Sequence, residues 1–250
     1  MSRGIFAKLF KKESFLNYEG LGADMHSHFI PGIDDGSANM EESIQMLNGL
    51  KQLGYSKFVT TPHIQPEIFP NTEAFILEKF DAFKTSINAY APDLEIKCAA
   101  EYYVDDNFLS RLNTDNKLLT FGNNFVLIEV SMVSKFKALE KVIFELMLLG
   151  YNVILAHVER YPYMFENNRL DYYESLRDKE VFLQVNLRSF TGNYGDIQRK
   201  IARQLAEKNM IDFLGTDLHK PVQLKLIEDA LHDTYVQKLL TENNLYNKSL

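Results

Sequence analysis

Cysteine is almost absent: Cys98 stands alone among 250 residues, which excludes an internal disulfide and any cysteine-based zinc module. Long apolar runs are missing as well. No stretch approaches the roughly eighteen apolar residues of a membrane-spanning helix, so no span is expected. Positive charge is in deficit, with 27 Lys and Arg against 34 Asp and Glu, a net charge of −7. General nucleic-acid binding needs a basic face and is not expected, although net charge leaves room for a basic cleft. What remains, 46% hydrophobic and 24% charged residues, is the composition of an ordinary globular protein with a sizeable core. A cytoplasmic location follows most simply.

The opening "MSRGIFAKLFKKESFLNYEG" lacks the features of a targeting segment. Lys8, Lys11 and Lys12 interrupt its apolar stretch, and no small-residue cleavage site follows. We take residues 1–20 as a basic extension, frayed or docked. Peripheral contact with anionic membrane through a short helix carrying Ile5, Leu9 and Phe6 is the alternative. Residues 21–250 show no low-complexity linker or shift in composition and are expected to form one domain.

Within that domain short β-rich runs alternate with helical patterns. The opening stretch supplies a strand ending at His28. Others follow at 57–63, 95–103, 125–130, 152–158, 181–186 and 211–217. The runs are continuously apolar, as in parallel strands covered on both faces. Helices fit 39–54, capped by Asn39 and stopped by Gly54, and 134–150, capped by Ser134 and stopped by Gly150. Further helices fit 71–90, 166–178, 196–208 and 221–240. This alternation predicts a parallel sheet, closed as an α/β barrel of about seven strands, with an open doubly wound sheet as the alternative.

The strand ends carry the chemistry. In order they bear His26 and His28, His63, Glu101, Glu129, His157, Asn186, then Asp217 with His219. From His63 onward the spacings are 38, 28, 28, 29 and 31 residues, close to one strand–helix unit each. In a parallel barrel all C-terminal strand ends face one rim, where barrel enzymes keep their active sites. The turn "IPGIDDG" returns Asp34 and Asp35 towards the same place. Buried carboxylates are rare unless paired or metal-bound, so convergence predicts a metal centre. His26, His28, Asp35, His63, Glu101, Glu129, His157, Asp217 and His219 make nine candidate ligands. One transition metal takes about four to six, so nine imply two or three ions bridged by carboxylates. Three divalent ions against four carboxylates leave the site net positive and suited to an anion such as a phosphate ester. Arg160, three residues past His157, is placed to bind phosphate oxygens with its fork; its other role would be a salt bridge with Glu159 or a neighbour.

The motifs "DMHSHFIPGIDDG", "TTPH", "AAEYY", "LIEV", "AHVERY", "QVNLRSFTGNYG" and "GTDLH", in this order, resemble the polymerase and histidinol phosphatase (PHP) superfamily. More narrowly they resemble its bacterial tyrosine-phosphatase branch of capsular and extracellular polysaccharide synthesis. The resemblance covers residues 21 to about 245 and implies a distorted TIM-like (β/α)7 barrel with a trinuclear site. By motif, His26, His28, Glu101 and Asp217 would hold one ion; Glu101, Glu129 and His157 a second; Asp35, His63 and His219 a third. Manganese is the expected metal, with iron or zinc as alternatives. The implied activity is hydrolysis of phosphotyrosine on the tail of a partner autokinase, by attack of a metal-bridging hydroxide. The branch usually has a second arginine shortly after the last histidine. Here "DLHKPVQLK" offers only Lys220 and Lys225, and Lys220 would substitute as a point charge without fork geometry. A phenyl ring would find Tyr102, Tyr103, Tyr161, Phe190 or Tyr194 near the rim. Two rival readings stay open: a small-molecule phosphatase of the histidinol-phosphate type, and a weakly active metal-binding regulatory protein. An amidohydrolase is disfavoured, since no strand-end lysine is present to carry a bridging carbamate.

Overall fold

The computed structural model describes residues 16–112, 117–242 and 244–250; the expected basic helix around Ile5 and Leu9 lies outside them. The described residues contain nine strand segments: β1 Ala23–Asp24, β2 Lys57–Thr60, β3 His63–Ile64, β4 Glu95–Cys98, β5 Glu101–Tyr103, β6 Phe125–Glu129, β7 Asn152–Leu155, β8 Phe182–Asn186 and β9 Phe213–Gly215. Every strand pairing is parallel. The expected strand at 57–63 is split into β2 and β3 around Pro62, which has no N–H to donate to a ladder. The strand at 95–103 is split in step with it, into β4 and β5.

One three-stranded and one six-stranded sheet result, β1-β2-β4 and β3-β5-β6-β7-β8-β9. They join into a closed wall. Ser27 bridges Leu218 in parallel, with the His28 N–H donating to the Leu218 carbonyl at 3.0 Å and the Asp217 N–H to the His26 carbonyl at 2.8 Å. The last stave therefore meets the first, which rules out the open doubly wound sheet and gives a distorted barrel of seven staves.

The helices are α1 Met40–Gln52, α2 Glu73–Tyr90, α3 Asp106–Arg111, α4 Leu139–Leu148, α5 Asp171–Arg177, α6 Leu187–Phe190, α7 Asp196–Glu207, α8 Leu224–Ala230 and α9 Thr234–Glu242. Asn39 caps α1 by accepting from the Glu42 N–H at 3.0 Å. Three expectations need correction. The α4 helix starts at Leu139 rather than after Ser134, because Ser131 Oγ accepts the N–H groups of Val133 and Ser134 and turns the segment into a loop. The helix expected at 166–178 begins only at Asp171, after three 3-10 turns. The run 221–240 is broken into α8 and α9 at a turn where Asp233 binds Arg203 at 2.7 Å and accepts the Tyr235 N–H at 2.9 Å. His232 lies in that turn, exposed.

Two apolar layers hold the barrel. One lies between strands and helices, and Tyr18 belongs to it: it is fully buried, stacks on Tyr55 and donates to the Ile227 carbonyl at 2.7 Å. The other fills the barrel interior with Ala23, Met25, Val59, Phe125, Leu127, Ile154 and Phe213. There the rings of Phe125, Phe182 and Phe213 meet edge to face. The interior is thus apolar at the N-terminal ends of the strands and polar at their C-terminal ends. Among the described residues no helix is long and apolar enough to cross a membrane.

Candidate metal centre

Period-two alternation aims the candidate ligands inward. In β6, Phe125 and Leu127 belong to the interior layer, so Glu129 two residues on points the same way. In β8 the sequence Phe182, Gln184, Asn186 continues from apolar to polar up the same face. His157 and Asp217 lie just past β7 and β9 at positive φ, 31° and 48°. Non-glycine residues pay strain in that region and persist there where the surroundings fix them, commonly at functional sites. Gly215 is required by proximity: a Cβ there would sit 2.7 Å from Gln184 Nε2 and 3.0 Å from His26 Cβ. At Gly36 it would lie 2.4 Å from His28 Cβ, so only glycine lets the Asp34–Asp35 loop fold back over His28.

All nine expected ligands converge. Glu101 sits at the centre, its Oε2 3.1 Å from His26 Nε2, 3.5 Å from His28 Nε2 and 3.2 Å from His63 Nδ1, its Oε1 2.9 Å from His157 Nε2. Asp217 Oδ1 lies 3.6 Å from His26 Nε2, 3.7 Å from His28 Nε2 and 3.3 Å from His219 Nδ1. Glu129 faces His63 Nδ1 at 3.1 Å and His157 Nε2 at 3.7 Å. Asp35 faces His63 Nε2 at 3.5 Å and His219 Nε2 at 3.4 Å.

Four groups have donor atoms within 4.8 Å of one another: His28, Asp35, His63 and His219; His26, His28 and Asp217; His26, Glu101 and His157; His63, Glu101 and Glu129. The first is the motif-derived set Asp35, His63 and His219 with His28 added, and the second is the set His26, His28, Glu101 and Asp217 without Glu101. In place of the third set, Glu101 and Glu129 group with His63, and His157 groups with Glu101 and His26.

The side chains also fit metal binding in what they leave unpartnered. His26 Nε2, His28 Nε2, His63 Nδ1 and Glu101 Oε2 are buried without a hydrogen bond. Such orphaned atoms are costly in a protein interior, and here they point at one another. The opposite ring atoms are held. His26 Nδ1 lies 3.0 Å from Gln184 Oε1, which also accepts the His157 N–H at 2.8 Å. His28 Nδ1 lies 2.8 Å from Asp34 Oδ2. Such outer partners fix the tautomer of a ligating histidine and turn its free nitrogen to the metal. Asp34 therefore orients His28 and is kept outside the nine; it also accepts the backbone N–H of Gly36 and His63.

Without a cation the cluster is strongly polarised. Burial disfavours the imidazolium of His63, yet the Glu101 and Glu129 carboxylates push it up to about 9. Burial alone would raise Glu101 and Asp217, but the facing histidines, joined at Asp217 by Arg188 and Arg160, hold both well below the usual carboxylate range. A proton on His63 thus supplies positive charge where a divalent cation would otherwise supply it.

A cavity of about 330 Å³ opens above the cluster, lined by Asp35, His63, Glu129, His157, Asp217 and His219 together with Arg160, Arg188, Tyr194, Lys220, Met132 and Gln223. Arg160 pairs with Asp217 Oδ2 at 3.4 Å and lies over the Tyr194 ring at 4.5 Å. Its expected bland partner, Glu159, is turned away, fully buried, and accepts from Ser189 Oγ and the Asn186 N–H. Lys220 reaches the cavity with its ammonium 2.6 Å from the Gly36 carbonyl. Lys225 is exposed on α8, 2.6 Å from Asp229. Of the five aromatic residues considered, Tyr194 alone lines the cavity; Tyr102 binds Glu73, Tyr161 accepts the Val130 N–H, and Phe190 is core. Sequence reasoning missed Gln184 and Arg188. Gln184 carried a signal, a polar residue at an inward position of a buried strand.

The comparisons with known proteins agree with this architecture. Tyrosine-protein phosphatase CpsB of Streptococcus pneumoniae is 27% identical over 228 residues, 88% of this chain and 93% of that protein. Tyrosine-protein phosphatase YwqE of Bacillus subtilis (strain 168) is 26% identical over 196 residues, 78% of this chain and 76% of that protein. A crystal structure from the pair YwqE of Bacillus subtilis and CpsB of Streptococcus pneumoniae, described as metal-dependent tyrosine phosphatases, aligns with a TM-score of 0.75 at 24% identity. That alignment covers 90% of this chain and 94% of the other, and it is a likeness of fold. The family described as capsular polysaccharide synthesis, CpsB/CapC, matches residues 22–245, the whole barrel with every side chain of the cluster, and the chain belongs to that family.

Proposed function

We propose that this protein is a metal-dependent protein-tyrosine phosphatase that hydrolyses phosphotyrosine on a partner autokinase in polysaccharide synthesis or export. The observation that carries it is the cluster itself: nine candidate ligand side chains brought together, six of them lining one open cavity with the guanidiniums of Arg160 and Arg188, and buried donor atoms left unpartnered. The family and the names of the relatives supply the substrate class.

His26, His28, Asp35, His63, Glu101, Glu129, His157, Asp217 and His219 would hold three divalent ions, manganese first among them and iron or zinc otherwise. Bound ions supply charge to the phosphate oxygens and acidify water to a nucleophile. This chain's own residues do the rest. Arg160, beside Asp217 on the cavity wall, anchors the phosphoryl group and offsets the charge that builds on its oxygens. Lys220 adds positive potential at the mouth while fixing Gly36. Tyr194 walls the cavity where the phenyl ring enters. The leaving phenolate, with a pKa of about 10, needs no strong general acid.

The test compares a phosphotyrosine peptide with histidinol phosphate at equal metal loading. The proposal expects kcat/KM for the peptide to exceed that for the small substrate by about tenfold or more. Preference for histidinol phosphate would reassign the substrate. Failure of loaded protein on both substrates and on p-nitrophenyl phosphate would favour a regulatory metal-binding role.

A further inference from the structure

Arg188 is the cation that the cavity does not yet account for. It follows β8 on the short α6 and is 4% exposed, yet it lines the cavity beside Arg160. Burying a guanidinium is costly unless its charge is matched. Its Nε donates to the Thr216 carbonyl at 3.3 Å and its Nη2 to the Asp217 carbonyl at 2.5 Å. Those bonds satisfy donors but supply no counter-charge. Among the described residues, the only carboxylate oxygen it reaches is Asp217 Oδ2, at 3.3 Å.

That oxygen is oversubscribed. Asn186 Nδ2 donates to it at 2.7 Å and the Tyr194 hydroxyl at 3.2 Å, with Arg160 Nη1 at 3.4 Å in addition to Arg188. A carboxylate oxygen has about two lone-pair sites, which the two nearer donors fill. Both guanidiniums are left at the long edge of hydrogen bonding, and both lie over the one Tyr194 ring, at 4.5 and 5.0 Å. The single charge of Asp217 is further shared with His26, His28 and His219 through Oδ1. Two converging guanidiniums with one shared carboxylate leave positive charge for an anion to complete. Among the described residues, Arg188 Nη1 donates to no protein acceptor. Lys220, by contrast, is engaged, its ammonium on the Gly36 carbonyl and 3.6 Å from Glu42.

The geometry points to Arg188 as a second phosphate-binding residue, forming with Arg160 a two-guanidinium cradle for the phosphoryl dianion. This rests on the phosphatase reading above and deepens it. Planar forks match phosphate oxygens in pairs, and a cradle made from two strand ends holds the group at a fixed distance from the ligands.

Inorganic phosphate is the probe, its affinity measured by calorimetry and as a competitive Ki on metal-loaded full-length protein, with metal content counted in the same samples. Arg188→Gln should weaken phosphate by about tenfold or more at unchanged metal content, and Arg188→Lys, which keeps charge but loses the fork, by about three- to tenfold. The control Arg199→Gln, at a half-buried cation paired with Asp196 outside the cavity lining, should stay within about twofold. If Arg188→Gln does not fold, Arg188→Lys decides alone. Phosphate affinity within about twofold of wild type in the folded Arg188 variants, with metal retained, overturns the assignment. So does loss of metal with undiminished phosphate affinity in the molecules still loaded, which would make Arg188 a brace for Asp217. Loaded wild type that binds no phosphate overturns the phosphatase reading, and this inference with it.

Discussion

Glu101 is the residue on which the cluster turns, since four histidines face its two oxygens within 3.5 Å. Glu101→Gln keeps the volume and removes the charge. It should cost at least one bound ion per chain and lower hydrolysis of p-nitrophenyl phosphate by about 100-fold or more, as loss of a shared ligand exceeds the effect of outer-shell changes; elemental analysis and rate together check this. His63 sets a pH dependence. Its folded pKa of about 9 stands above the unfolded value near 6.5. In chelator-treated protein its contribution to stability is therefore complete below about pH 6.5 and lost as pH rises through about 9. Denaturant midpoints of the stripped protein should fall between pH 6.5 and 9. Metal affinity should rise over the same window, because each ion must displace that proton.

Strands and turns decide how these residues meet, and here the sequence was only partly legible. The convergence of these strand-end side chains could be read because buried histidines and carboxylates are rare and their spacing matched one strand–helix unit. Inward parity could be read too: Phe125 and Leu127 predict the direction of Glu129. Strand breaks were not legible, since Pro62 splits one stave and its neighbour follows through pairing between distant segments. The late start of α4 depends on a side-chain bond from Ser131 that competes with the helix. Arg188 stands on a four-residue helix with no period to betray its direction. Gly215 is the element-scale test. Gly215→Ala places a methyl 2.7 Å from Gln184 Nε2 and should destabilise by about 1–3 kcal/mol by overpacking. In Gly215→Ala/Gln184→Ala the penalty should be less than additive, as the colliding group is gone. Chemical denaturation of the four proteins measures both quantities.

At the scale of the whole molecule, an acidic chain presents a cavity whose lining mixes carboxylates with Arg160, Arg188 and Lys220. The closed wall makes this possible: apolar side chains fill the barrel below, and the cavity opens the cluster at the rim. Metal removal should accordingly loosen the molecule as well as silence it. A ligand at 100 times its dissociation constant stabilises by about 2.7 kcal/mol, so loaded protein should melt several degrees above stripped protein in a thermal scan. The central claim is that several ions, held by these nine side chains, make the rim a phosphatase. The most direct test titrates manganese into stripped protein while counting bound ions and following phosphotyrosine-peptide hydrolysis. The account predicts no turnover in the stripped chain, onset only after more than one ion has bound, and a plateau at three; turnover by stripped protein, or a plateau at a single ion, would contradict it.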